Sequence, residues 1–243
     1  MRIIHSILLV TACSAFAHVA PSAQAQGVDV TAQVILQSKS PAPKRKTPIS
    51  PVDVVVWLTP LQPDSSHHTN VEHPGPFRLV QKDKQFTPHM VVVPTGTSVE
   101  FPNKDPFFHN VFSLFNGKRF DLGLYESGTT RSVRFDREGV SYIFCNIHPE
   151  MGAIVLALST PYYAVSDITG AVILHNVPPG TYSLHVWSET AQSAKASEVQ
   201  GTVQVGLTAL QLGDLHLEGT ADPMKHHMNK FGEEYRPSHD APY

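Results

Sequence analysis

Cysteine is scarce in this chain: Cys13 and Cys145 are the two thiols in 243 residues. A disulfide-rich scaffold is excluded. Charge is scarce as well, with 16% Asp, Glu, Lys and Arg and a net charge of −3, which argues against a nucleic-acid role. No apolar run approaches the ~20 residues of a transmembrane helix, so no membrane span is expected. No long stretch carries a helical period either. What the chain has instead is turn residues, with 20 prolines and 15 glycines punctuating short β-branched runs.

Residues 1–25 read as an export signal. Arg2 gives a positive start, Ile3 to Val10 is mostly apolar, and Ala23-Gln24-Ala25 is an A-x-A cleavage site. A periplasmic or exported protein is expected. Val10-Thr11-Ala12-Cys13 loosely fits a lipobox, a minor alternative in which Cys13 anchors a lipoprotein. Cleavage after Ala25 removes one cation and leaves a mildly acidic chain whose only thiol is Cys145. A lone thiol in an oxidising compartment is a hazard unless it is buried or bound to metal.

The remaining residues read as all-β, in two units. Val28 to Leu36 and Val52 to Leu58 are strand-like, separated by a basic, proline-rich loop from Ser38 to Pro48. A second polar loop runs from Pro60 to Pro76. Strand candidates then follow at Arg78–Val80, His89–Val93, Ser98–Phe101, Val111–Leu114, Thr130–Phe135, Ser141–Phe144 and Ala153–Leu158. That density of short strands and turns predicts a sandwich over 76–159. Beyond Pro161 come further strands at Tyr163–Val165, Val172–Leu174, Tyr182–Trp187, Val203–Val205 and Leu210–Leu217. Residues 219–243 are polar and aperiodic, and a disordered tail is expected.

Cys145-Asn146-Ile147-His148-Pro149-Glu150-Met151 concentrates the chemistry. A thiolate, an imidazole and a thioether spaced Cys-x-x-His-x-x-Met suit copper better than zinc or calcium. A second imidazole is available from His109-Asn110, upstream. Each residue alone has a blander reading, since a lone Cys or Met is usually core filler. Their ordered spacing beside an upstream His-Asn favours a metal. The strand Ser141–Phe144 leads into the loop and Ala153–Leu156 leaves it, so three donors come from one turn. Pro149 removes a backbone N–H and stiffens that turn. Asn110 is a candidate for bridging the two donor loops. His67, His68 and His73, and His226 and His227 beside Met228, are read as solvated loop and tail residues. His89, His175 and His185 are read as structural.

Four segments together resemble the cupredoxin family. They are Phe86-Thr87-Pro88, Val93 to Phe101, His109-Asn110-Val111 and Phe144 to Gly152. The likeness covers about residues 76–159 and is to the plastocyanin-like small blue copper proteins, with a short, amicyanin-like His-to-Met spacing. It implies a Greek-key β-sandwich binding one Cu(I)/Cu(II) ion. His109, Cys145 and His148 take the trigonal ligand roles and Met151 the weak axial one. Separately, Tyr163 to Val186 resembles the second half of a carboxypeptidase-regulatory-like module, a small transthyretin-like β-sandwich. The two early strands loosely supply its first half. The expected organisation is a split module, 27–62 plus 160–218, with the copper domain inserted at 76–159. A tandem arrangement is the alternative.

These resemblances imply a single-electron carrier, with copper storage or delivery as the alternative. An enzyme is not expected. Multicopper oxidases flank the site cysteine with histidines and copper nitrite reductases place one beside it, whereas Phe144 and Asn146 stand here. Expected partners are redox proteins such as a c-type cytochrome or a dehydrogenase. Their docking rim would be Phe107 or Phe108, Pro149 and Met151 around an exposed edge of His148.

Overall fold

A computed structural model describes residues 26–38, 51–62, 76–114, 117–190, 201–219 and 228–235. The leader, the basic loop centre, His67, His68, His73, His226 and His227 lie outside them. Every regular element among the described residues is a strand. In chain order these are β1 (Val28–Ser38), β2 (Val55–Pro60), β3 (Phe77–Arg78), β4 (Val80–Lys82), β5 (Gln85–Thr87) and β6 (Met90–Pro94). Next come β7 (Thr97–Pro102), β8 (His109–Ser113), β9 (Phe120–Tyr125), β10 (Thr130–Phe135), β11 (Gly139–Phe144) and β12 (Gly152–Leu158). The last five are β13 (Tyr163–Val165), β14 (Ala171–Val177), β15 (Gly180–Trp187), β16 (Gly201–Val205) and β17 (Leu210–Gly219).

Four of the five sheets among the described residues stack through three apolar layers, and the fifth is the two-stranded β4-β5. The outermost has strand order β14-β1-β17, and the next β13-β2-β15-β16. Their facing side chains form one core, including Val30, Val34, Val56, Leu58, Leu174, Leu184 and Leu217. The third sheet, β6-β12-β11-β8-β9, and the fourth, β10-β7-β3, enclose a second core. It includes Val99, Phe101, Val111, Phe135, Ile143 and Val155, with Cys145 and Met151. Between the two sandwiches, Val55, Val92, Leu156 and Leu158 pack with Trp57, Met90, Tyr163 and Trp187.

Strand periodicity explains how one strand serves two cores. Successive side chains point to opposite faces. On β2 and the residue before it, Val54, Val56 and Leu58 face the first core, while Val55 and Trp57 face the layer between sandwiches. On β12, Ala153, Val155 and Ala157 face the second core, while Leu156 and Leu158 face the same layer. Both strands therefore read as near-continuous apolar runs, the signature of a strand covered on both faces.

The strands on either side of 76–159 pair with one another. β1 lies antiparallel to β14 and parallel to β17, and β2 lies antiparallel to both β13 and β15.

Several elements differ from expectation. β2 starts later than Val52, because Asp53 holds φ 62° in the turn that precedes it. β5 and β9 were not expected at all. β9 carries Gly123 at φ 65° and pairs with β8 through a register shift between Asn110 and Phe112. That bulge breaks the alternation by which a strand is read. β8 begins at His109 rather than at Val111, so the histidine is the first residue of a strand.

Candidate metal centre

Two connections at one end of the second sandwich carry the donors. The first joins β7 to β8 and delivers His109. The second joins β11 to β12 and delivers Cys145, His148 and Met151. The β11–β12 ladder closes at Phe144 opposite Gly152, so the intervening residues must turn back within a short loop. Two backbone bonds shape that loop: Cys145 N–H to Met151 O at 3.2 Å, and Met151 N–H to His148 O at 3.1 Å.

The loop brings three donors together. Cys145 Sγ lies 3.7 Å from His109 Nδ1 and 3.6 Å from His148 Nδ1. All three donor atoms fall within 4.8 Å of one another. A first-row metal bonded at about 2.3 Å to sulfur and about 2.0 Å to nitrogen, with trigonal angles, needs S···N separations of about 3.7 Å. The donors already stand at that spacing. His109 and Cys145 are fully buried and His148 is 9% exposed. Met151, the fourth expected donor, is fully buried in the same core.

The surroundings tune each donor. Burial pushes the Cys145 thiol up, and backbone N–H groups of Asn110, Ile147 and His148 at the sulfur oppose that rise. Burial depresses His148, helped by the nearby His109 and Lys84, so its ring is neutral at neutral pH with a lone pair free to bind metal. Phe107 sits edge-on to His109 at 5.2 Å and tilted to His148 at 5.7 Å, walling the site from water.

Asp105 is the functional residue that sequence reasoning missed. Its Oδ2 lies 2.7 Å from His109 Nε2, and the carboxylate is almost fully buried. Burial would raise this carboxyl. Hydrogen bonds from His109 and from the Lys84 and Asp83 backbone N–H groups outweigh it, and Asp105 sits below the usual carboxylate range. Asn103 Oδ1 accepts from Asp105 N–H at 3.0 Å and steadies the turn. The ionised carboxylate accepts a hydrogen bond from His109 Nε2–H, which holds the proton on Nε2 and leaves the Nδ1 lone pair facing Cys145. An acidic residue four positions before the expected histidine ligand was the available signal.

Two other roles differ from expectation. The Asn110 side chain does not bridge the donor loops: its Nδ2 donates to Asp121 Oδ1 at 2.7 Å, and its backbone N–H meets the Cys145 sulfur instead. The expected rim is also only partly exposed. Phe108 and Pro149 reach solvent, as does Ile147 outside that expected rim, while Met151 and the His148 edge are buried.

No family model matches this chain, and no curated protein does. Among solved structures it is similar to a purple cupredoxin from Nitrosopumilus maritimus, at 24% identity and TM-score 0.31, covering 34% of this chain and 99% of that one. A tryptophan-to-tyrosine variant of amicyanin in its reduced form follows at 18% identity and TM-score 0.33, covering 35% and 85%. A copper-containing nitrite reductase from Thermus scotoductus SA-01 gives 19% and 0.34, covering 52% of this chain and 28% of the enzyme. At such scores it is the donor set, not the likeness, that carries the functional reading.

Proposed function

We propose that this protein carries single electrons by means of one copper ion held by His109, Cys145 and His148, with Met151 as a weaker fourth donor. One observation carries the reading: a thiol and two imidazole Nδ1 atoms converge within 4.8 Å inside a β-sandwich. When bound, copper supplies reversible one-electron chemistry, and the His₂Cys set with a weak thioether is the donor combination of electron-transfer sites. The chain's own residues do the rest. Asp105 fixes the tautomer of His109, backbone N–H groups stabilise negative charge on Cys145, and burial keeps His148 unprotonated. Donors fixed by a packed core move little between redox states.

Storage or delivery is less well supported, because the donors are buried rather than displayed for release. Turnover of oxygen or nitrite is not proposed. Phe144 and Asn146 flank Cys145, so no histidine bridge leads to a second copper centre. We read the chain as periplasmic or exported from its leader. Its partner would be a redox protein, a c-type cytochrome or a dehydrogenase, docking over Phe108, Ile147 and Pro149. Among the described residues no helix is long and apolar enough to cross a membrane. The pairing of β1 with β14 and β17, and of β2 with β13 and β15, supports a split module around the copper domain.

Copper titration followed by metal analysis tests the electron-carrier reading. It predicts one tightly held copper per chain, reversible one-electron reduction, and no consumption of nitrite or oxygen. Three tightly held coppers, or sustained turnover of either substrate, would exclude it.

A further inference from the structure

Within the 219–243 segment expected as a disordered tail, the structure describes residues 228–235 beyond the end of β17. Residues 228–235 form a self-supporting turn. Asn229 Oδ1 accepts from the N–H groups of Phe231 at 2.9 Å and Glu233 at 3.0 Å. The backbone closes it with Asn229 N–H to Glu233 O at 2.9 Å and Gly232 N–H to Asn229 O at 3.0 Å. Gly232 holds φ 78°, a conformation that glycine adopts without strain.

This turn is fastened to the metal centre at three points. Lys230 N–H donates to Asn146 Oδ1 at 2.9 Å. Lys230 Nζ reaches Asp121 Oδ2 at 2.8 Å. The Tyr235 hydroxyl donates to the Cys145 carbonyl oxygen at 2.8 Å. That carbonyl lies just past the last β11–β12 pair, where the sheet ladder has ended. Asp121 in turn accepts from Asn110 Nδ2. The turn thus grips both sides of the site: the Cys145 loop directly, and the start of β8 through Asp121 and Asn110.

We propose that residues 228–235 are a strap, with Lys230 and Tyr235 as positioning residues that hold the Cys145–Met151 loop closed over its donors. The strap sets how often the Cys145 sulfur opens to solvent. It also sets how fast a bound copper ion is released, an extension that rests on the function proposed above.

The test uses the full chain carrying Cys13→Ser, so that Cys145 is the only thiol. Metal-free protein is exposed to a maleimide and the labelling rate of Cys145 is followed. A hydrogen bond worth about 0.5–1.5 kcal/mol predicts about threefold to tenfold faster labelling in Tyr235→Phe. The partly exposed Lys230–Asp121 pair predicts about twofold to threefold in Lys230→Ala, and Lys230→Arg restores the slow rate. The double variant exceeds either single one. The thermal midpoint of the whole chain falls by only about 1–6 °C, because the same bond is also absent from the unfolded chain. In copper-loaded protein, release to a chelator accelerates in the same order. Equal labelling rates in the parent and the double variant would overturn the strap, as would labelling whose rate rises with denaturant as steeply as global unfolding does, since a local opening exposes little surface. Failure to bind copper would overturn the electron-carrier reading alone and leave the labelling arm to decide the strap.

Discussion

At the scale of single residues, Asp105 is the most informative position. Its carboxylate holds a ligand candidate by the ring nitrogen that would not touch metal. Removing such a partner typically costs about 10–100-fold in metal affinity. Asp105→Ala should therefore weaken copper binding by about that factor in a competition titration, while Asp105→Asn, which keeps a hydrogen-bonding oxygen, should lose less. Equal affinities in Asp105→Ala and the parent would show that His109 is held by packing alone. The convergence of Cys145 and His148 with His109 was legible in the sequence because the first two share one short loop and the three side chains are chemically unusual together. Asp105 was not. A loop carboxylate is usually solvated, and only the folding of residues 103–108 against Asp83 and Lys84 buries this one. The same limit applies to Lys230 and Tyr235, whose partners stand 84 to 109 residues away in sequence.

At the scale of elements, most strands could be read from alternation and turn residues, and those that escaped have a physical reason. β9 is bent at Gly123 and leaves Leu124 exposed, so its apolar residues do not mark one face cleanly. The continuous apolar run of β12 gave the strand but not its two-sided burial. The turn between β13 and β14 shows how tightly distant segments fit. Gly170 holds φ 86°, and a Cβ there would come within 2.4 Å of Val34 O on β1. The Gly170 carbonyl also accepts from Val34 N–H at 2.8 Å. Gly170→Ala should destabilise the chain by about 2 kcal/mol or more, from left-handed strain of about 1–2 kcal/mol and the backbone clash together. Chemical denaturation measures this. An unchanged midpoint would mean that β1 does not press against that turn.

At the scale of the whole molecule, the two sandwiches share an apolar layer and a hydrogen-bonded pair at its margin. His89 Nε2, just before β6, lies 2.7 Å from Glu189 Oε2, just after β15. The Glu189 partner raises His89 above its ordinary value against the opposing effect of burial, with Asp53 adding a smaller push. A raised histidine contributes stability that is present in full below its unfolded value near ~6.5 and is lost as pH rises through the folded value. The thermal midpoint should therefore fall between pH 6 and pH 8 by more in the parent than in His89→Gln. The histidine side chain is 45% exposed, so the difference should stay below about 1 kcal/mol. Identical pH profiles would show that the pair does not couple the sandwiches. Sequence could not reveal this contact, since pairing across 100 residues leaves no local pattern.

The convergence of His109, Cys145 and His148 is the central claim, and the visible absorption spectrum of the copper-loaded chain tests it most directly. Cu(II) protein should show an intense thiolate-to-copper band in the red, which Cys145→Ala abolishes. Met151→Leu should keep colour while raising the reduction potential, because a weak donor is lost. A colourless copper complex, or a band that persists in Cys145→Ala, would contradict the account.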